Sequence, residues 1–127
     1  MKIDPIDKLV SQIAKLRAGN KCEYCGEAYK KRETSHFHGR RKVSVRYDLD
    51  NVAWLCFTCH QEMHSHPDLH SEWFEKRLGS EKYEQLGIRS RMLAREIKLD
   101  KVKIKKNLTG YLEAFNEHKE TLKECKK

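Results

Sequence analysis

The amino-acid sequence predicts a small α+β domain in which a zinc-stapled core of two strands and a helix lies between N- and C-terminal helices. The prediction rests on two Cys-x-x-Cys pairs, on strand-like and then helical patterns around the second pair, and on amphipathic segments at both ends. With 127 residues the chain fits a single domain with one modest core, so a structural metal would matter for its stability. We divide it into an N-terminal helix (1–19), the stapled core (20–66) and a helical extension with a basic cluster (67–127).

Residues 4–18 have the pattern of an amphipathic helix. Asp4 can cap this helix, Pro5 suits its first position, and Gly19 ends it. We expect the helix to pack over the core and to carry no chemistry. Its apolar residues recur mostly at spacings of three and four: Ile6, Leu9, Val10, Ile13, Ala14 and Leu16.

Two pairs of cysteines predict one metal site. Cys22 and Cys25 form the first pair, and Cys56 and Cys59 form the second. The N-terminus has no signal-peptide pattern, so we expect an intracellular, cytoplasmic protein, where paired cysteines are more often metal ligands than disulfides. Four thiolates complete a tetrahedral shell and leave no position for water. The pattern therefore predicts a structural zinc ion rather than a catalytic one.

The residues between and after the cysteine pairs predict a strand, a loop, a second strand and a helix. Residues 33–38 alternate as a strand does, and residues 52–55 form the second strand, with Asn51 as a turn residue before it. From Cys56 the pattern is helical until Pro67. We expect the large aromatic side chains of this region and of the next helix to lie in the core. They are Trp54, Phe57, Trp73 and Phe74.

The C-terminal extension predicts three further helices. Residues 68–78 form the first, which Gly79 ends, and the second begins at Ser80 and ends before Gly87. The lysine-rich run at 101–106 either contacts DNA or forms a solvated helix face. The apolar positions of a final amphipathic helix are Leu108, Tyr111, Leu112, Phe115 and Leu122.

The charge of the chain is strongly positive and unevenly distributed. The formal net charge is +8, and residues 30–46 contain seven Lys or Arg against one acidic residue. Residues 88–106 contain eight against two. Such segments suit the phosphate backbone of a nucleic acid, although they are also compatible with a merely soluble basic surface. No apolar run reaches the roughly 20 residues that a membrane span needs, so we predict no membrane association.

The motifs of the core resemble those of the HNH, or ββα-metal, endonucleases. That family has a His on the first strand, an Asn before the second strand and a His on the following helix, which correspond to His36, Asn51 and His60. Asn51 precedes His60 by nine residues, as the family spacing requires. The resemblance covers about residues 20–79, and its zinc-clamped form is similar to phage proteins of the NinG (Rap) recombination-nuclease group.

The resemblance implies a role for each of these residues. His36 takes a proton from the attacking water, Asn51 holds the loop that aims His36, and His60 binds a catalytic Mg or Mn ion. His64 follows His60 by four residues, so on a helix the two imidazoles share a face and can hold one cation. The residues predicted to contact DNA phosphates are His38, Arg40, Arg41, Lys42 and Arg46.

Other roles remain open for the histidines. His36 could be a surface histidine on a strand, and His64 an exposed helix histidine in a His-rich run. His38 could instead be a metal ligand or have no role. His70 could be a third ligand if the chain folds back after Pro67.

One position departs from the family pattern. Many HNH enzymes have an Asp directly before the first-strand His, and its carboxylate binds the metal, whereas this chain has Ser35. Either another His completes the site, or the metal binds weakly, or catalysis has been lost.

The function predicted is that of a metal-dependent DNA endonuclease of low sequence specificity. Its expected substrates are branched or single-stranded DNA in phage recombination or DNA processing, inside the host cytoplasm if the protein is a phage protein. Its expected partners are DNA, a second copy of the chain in a homodimer, or a phage recombination or packaging protein. The alternative is a non-catalytic, zinc-stabilised module that binds nucleic acid or acts as a scaffold.

Overall fold

The computed structural model describes residues 4–28, 31–92 and 101–125, with side chains described up to residue 117. Short 3₁₀ turns at Val43–Val45 and Leu49–Asn51 lie between the two strands. The order of helices and strands confirms the predicted α+β class. In chain order they are α1 (Pro5–Arg17), β1 (Arg32–His36), β2 (Val52–Cys56), α2 (Phe57–Ser65), α3 (Pro67–Leu78), α4 (Ser80–Ser90) and α5 (Lys101–Cys125).

The antiparallel pair of β1 and β2 lies between two hydrophobic clusters. Ser35 is opposite Ala53, and His36 is opposite Val52. Because side chains alternate along a strand, β2 presents Val52 to a cluster built mainly from α1 and α5, and Ala53 to a cluster that contains the cysteines, α2 and α3. Both side chains are completely buried. β2 is thus the central layer of the fold, and this explains its almost entirely apolar sequence.

Helix α1 is the predicted N-terminal helix, and it also holds the loop between the strands. The Asp4 carboxylate caps it by accepting a hydrogen bond from the backbone N–H of Ile6 at 2.8 Å. At the other end, the Arg17 guanidinium donates to the backbone carbonyls of Leu49 at 2.9 Å and Val52 at 2.7 Å. These bonds fix the point at which the loop enters β2. The buried face of α1 consists of Ile6, Val10, Ile13 and Ala14.

Helix α5 packs against α1 through Leu108, which is buried, and through the partly buried Ile104 and Leu112. The lysine-rich run at 101–106 forms the first turns of α5. Residues 93–100, which carry part of the predicted basic cluster, lie outside the described residues. Within the described ranges, no helix has the length and apolarity needed to cross a membrane.

Two local predictions were wrong. Helix α4 continues through Gly87 to Ser90, because Leu86 and Ser90 are both buried and this burial offsets the roughly 1 kcal/mol that a helical glycine costs. Phe57, which we predicted to lie in the core, is 54% exposed at the first position of α2. Of the other aromatic residues expected there, Phe74 is completely buried, and Trp54 and Trp73 are partly buried.

Candidate metal centre and active-site cleft

The four paired cysteines converge where the first Cys-x-x-Cys turn meets the start of α2. Their Sγ atoms all lie within 4.8 Å of one another. Cys25 is exposed, and the other three are buried. The backbone N–H groups of Cys25 and Cys59 point at the sulfurs of Cys22 and Cys56 at 3.5 Å, the arrangement that stabilises thiolates. The cluster is placed to hold a metal ion, and a set of four sulfur ligands favours structural zinc.

The electrostatics of the cluster also fit a bound cation. Burial raises the pKa of the Cys22 thiol, but hydrogen bonds from the backbones of Cys25 and Cys56 outweigh this effect and lower that pKa to about 7. In contrast, burial and the adjacent sulfurs raise the pKa of Cys59. Cys22 can therefore lose its proton near neutral pH, whereas ionisation of all four thiols requires a positive charge between them.

A separate cleft of about 240 Å³ lies beside β1. The structure brings into this cleft three histidines that the sequence analysis assigned to catalysis, one from the end of β1 and two from α2. We call it the histidine cleft. Its lining residues are Thr34, His36, Gly39, Arg40, His60 and His64.

His60 and His64 face each other on one side of α2. Their Nε2 atoms are 3.0 Å apart, and their ring centroids are 4.6 Å apart. His60 is mostly buried, with 17% of its side chain exposed, and its Nδ1 atom lies 2.5 Å from Oε1 of Glu33 on β1. Two imidazole nitrogens that converge in this way fit a divalent cation that accepts nitrogen ligands.

His36 occupies the end of β1 and is partly buried. Burial and the nearby Arg40 charge lower its pKa, although a hydrogen bond with the backbone of Arg46 opposes them. Its Nε2 atom is buried and has no hydrogen-bond partner among the described residues. The ring is therefore neutral near pH 7, which is the state that a proton acceptor requires.

Asn51 is completely buried and ties the chain after β1 to the interstrand loop. Its Oδ1 accepts from the backbone N–H of His38 at 2.8 Å, and its Nδ2 donates to the carbonyls of His38 at 2.9 Å and Val45 at 3.0 Å. The backbone of Asn51 also accepts from the N–H of Phe37 at 2.9 Å. This geometry suits a residue that fixes the direction of His36 without entering the cleft.

The predicted phosphate contacts divide into two groups. Arg40, Arg41 and Lys42 are exposed in the loop that follows β1, and Arg40 lines the cleft. Arg46 instead pairs with Asp7 on α1, with Nη2 2.5 Å and Nε 3.2 Å from the carboxylate oxygens. Two of the three guanidinium nitrogens of Arg46 are thus engaged by Asp7 and are not available to a phosphate while this ion pair is closed.

His38 lies near cationic side chains from two parts of the chain, Lys42 and Arg91. Burial is the largest cause of its lowered pKa, and the charges of Lys42 in the loop and Arg91 after α4 lower that pKa further. Arg91 therefore lies close enough to His38 to act on its charge, a proximity that its position in the sequence could not show.

Two residues considered for the metal site lie outside the cleft lining. His70 on α3 packs edge-on against Phe37 and Phe74, with centroid distances of 5.0 and 5.1 Å. Ser35 is completely buried opposite Ala53, and its Oγ atom has no hydrogen-bond partner among the described residues. The hydroxyl therefore points into the core side of the sheet.

The segment that carries both sites has a counterpart among known families. Residues 22–66 match the family model of the HNH endonucleases. This HNH segment includes the cysteine cluster, His36, Asn51 and the histidine pair of α2, whereas α1, α3, α4 and α5 lie outside it. No curated protein and no solved structure matches the chain. The match supports the family-level resemblance, and the similarity to phage recombination nucleases stays a prediction.

Proposed function

We propose that the protein is a metal-dependent DNA endonuclease that hydrolyses phosphodiester bonds in the histidine cleft. The observation that carries this proposal is the meeting of His36 with the His60 and His64 pair in one cleft of the HNH segment. A proton acceptor and a cation-binding pair side by side are what phosphodiester hydrolysis requires.

Each group then has a chemical task. His36, which burial keeps neutral, accepts a proton from the attacking water. His60 and His64 hold the divalent cation through their converging Nε2 atoms. The cation, when bound, supplies positive charge for the phosphate oxygens and the leaving oxygen. Asn51 maintains the loop geometry that presents His36 to the cleft.

The ligands favour Mn²⁺ over Mg²⁺. Two imidazoles provide the convergent donors, and no carboxylate lines the cleft within the described part of the chain. Mg²⁺ prefers oxygen ligands, whereas first-row transition ions bind imidazole more readily. We therefore expect activity to be higher with Mn²⁺ than with Mg²⁺ at equal concentration.

The substrate we propose is DNA, bound through its phosphates. Arg40 lines the cleft, Arg41 and Lys42 follow it as exposed residues, and Arg91 lies near His38. Contacts to phosphates position a duplex without reading its bases, so sequence specificity should be low. The resemblance to recombination nucleases makes branched and single-stranded DNA the first substrates to compare. Action within a phage recombination complex, or as a homodimer, is an extension of the same proposal.

A second candidate function is a zinc-stabilised module that binds nucleic acid or acts as a scaffold without cutting. Ser35 favours it, because this position carries a metal-binding Asp in many HNH enzymes and here holds a completely buried hydroxyl. A chain without that carboxylate could keep the basic surface and lose catalysis.

A nicking assay on supercoiled and branched DNA distinguishes these functions. We would compare the native protein, His36→Ala and the control His66→Ala with Mn²⁺, Mg²⁺ or EDTA. His66 is an exposed histidine just after α2 and outside the cleft lining. We expect metal-dependent cutting that falls by about 100-fold or more in His36→Ala, because a general base contributes that much, and is retained in His66→Ala. Binding without cutting by the native protein in any metal would establish the non-catalytic module.

A further inference from the structure

Glu33 contacts His60 of the histidine pair, although no motif of the sequence marks it. Its Oε1 atom is 2.5 Å from Nδ1 of His60. On β1, Glu33 is opposite Leu55, two residues before Ser35 and on the same strand face. The chain thus has a carboxylate two residues before the position where the family pattern has one. This carboxylate contacts His60 at Nδ1, the ring nitrogen that does not face His64.

The position of this carboxylate determines which nitrogen of His60 carries the proton. An ionised carboxylate only accepts hydrogen bonds, so it holds His60 with the proton on Nδ1. The lone pair of the neutral ring is then on Nε2, and this is the atom that faces Nε2 of His64 at 3.0 Å. Two nitrogens bound about 2.1 Å from one ion lie about 3.0 Å apart when they subtend a right angle at the ion, and about 3.4 Å apart at the tetrahedral angle.

We propose that Glu33 is a positioning residue that prepares His60 Nε2 to bind the divalent cation. It does so by fixing the Nδ1–H tautomer and the orientation of the ring, and by making Nε2 a better donor. This inference rests on the proposed function of the histidine cleft. Ser35 cannot supply a negative charge to the cation. In this proposal Glu33 supplies it instead, and it acts on the cation only through His60. Glu33 itself does not line the cleft.

Two measurements on the zinc-loaded protein test the proposal without measuring cleavage. Long-range ¹H–¹⁵N NMR spectra report the tautomer of His60, and calorimetric titration with Mn²⁺ reports the affinity of the cleft. The variants are Glu33→Ala, Glu33→Gln and the control Glu62→Ala. Glu62 is exposed on α2, so its replacement removes the same charge from the same neighbourhood.

We expect Glu33→Ala to abolish the Nδ1–H preference of His60 and to weaken Mn²⁺ binding by roughly 10- to 100-fold, the usual effect of losing a carboxylate behind a ligand histidine. Glu33→Gln keeps an oxygen that can accept from Nδ1–H, so its affinity should fall between that of Glu33→Ala and that of the native protein. Glu62→Ala should retain both properties. His64→Ala, which removes a direct ligand, should weaken binding while His60 keeps its tautomer.

Two results would overturn the proposal. The first is a native tautomer and native Mn²⁺ affinity in Glu33→Ala, and the second is a loss of affinity no larger than that in Glu62→Ala. Zinc content and the melting curve show whether each variant is folded. If Glu33→Ala does not fold, native affinity in the nearly isosteric Glu33→Gln overturns the proposal instead.

These measurements distinguish a failure of this inference from a failure of the nuclease proposal. A protein that binds Mn²⁺ in a Glu33-dependent way but never cuts DNA contradicts the proposed function and leaves the role of Glu33 intact. A nuclease whose Mn²⁺ affinity and His60 tautomer do not depend on Glu33 contradicts only this inference.

Discussion

Asn51 illustrates how much of the cleft depends on one buried side chain. Its amide uses both its acceptor and its donors on the backbone around His38 and Val45. These bonds turn the chain sharply after His36, which ends β1. The chain around His36 and the basic loop are therefore held by a residue that is itself completely buried.

Replacing Asn51 by Asp should destabilise the fold at neutral pH. The carboxylate could still accept from the N–H of His38, but it would face two carbonyl oxygens without a proton to donate. We expect a loss of about 3 kcal/mol or more in the free energy of unfolding, because a buried charge would have repulsive neighbours. Urea unfolding at pH 7 measures it, and a loss below about 1 kcal/mol would contradict the bonding described.

His70 should make stability depend on pH. Burial, and then the nearby His64 and His60, lower its pKa from 6.5 to about 4. Between these values the unfolded chain binds the proton and the folded chain does not, so the free energy of unfolding falls as the pH falls. The lowered pKa values of the partly buried His36 and His38 act in the same direction.

We expect His70→Leu to flatten this pH dependence by about 2 kcal/mol between about pH 6.5 and pH 4.5, after allowance for partial exposure. Urea unfolding of the native protein and of the variant at several pH values in this range measures the difference. Parallel curves would show that His70 does not titrate abnormally.

At the scale of elements, the cysteine cluster fixes the junction of β2 and α2. Cys56 is both the last residue of β2 and the cap of α2, and its sulfur accepts from the N–H of Cys59. His60 directly follows Cys59, so a metal held by the cluster also determines where α2 presents its histidines. The structural site and the proposed catalytic site are coupled through one helix start.

Cys22→Ser should therefore release zinc and lower stability. We expect a loss of at least about 3 kcal/mol, equivalent to a fall of roughly 10 °C in Tm for a domain of this size. Elemental analysis and thermal unfolding measure the two effects. Cys125→Ser, which changes a cysteine that belongs to neither Cys-x-x-Cys pair, is the control. Retained zinc with an unchanged Tm in Cys22→Ser would refute the four-cysteine site.

At the scale of the whole molecule, the net charge of +8 would attract DNA, and the fold determines which basic residues lie near the histidine cleft. The loop with Arg40, Arg41 and Lys42 adjoins the histidine cleft. Helix α5 packs against α1, and none of its described side chains lines the cleft. We infer that the loop, rather than the lysine-rich start of α5, contacts the phosphates near the cut.

Two triple variants with equal charge loss test this inference. Arg40, Arg41 and Lys42 changed to Gln should reduce the slope of log affinity against log salt by about 2–3, because each phosphate contact contributes roughly 0.9. Lys101, Lys105 and Lys106 changed to Gln should reduce it by less than about 1. DNA-binding titrations over a range of salt concentrations measure both slopes. A larger effect of the second variant would place the DNA along α5.

The sequence by itself determined the features that depend on local spacing. The two Cys-x-x-Cys pairs, the i and i+4 histidines of α2 and the capped start of α1 are each set within one turn or one helix. Geometry at that range follows from the repeat of the element, so the spacing of the thiols within each cysteine pair, the shared helix face and the α+β class could all be predicted.

Only the tertiary structure decided which distant side chains meet. Glu33 contacts His60 across 27 residues, and Arg46 pairs with Asp7 across 39. Such pairs depend on strand register and on helix packing, which no local pattern encodes. The same long-range packing buries Ser35, carries α4 through Gly87 and leaves Phe57 in solvent. The sequence thus identified the cysteines and histidines that we propose as metal ligands, and packing determined which carboxylate lies beside His60 and which basic residues stay exposed.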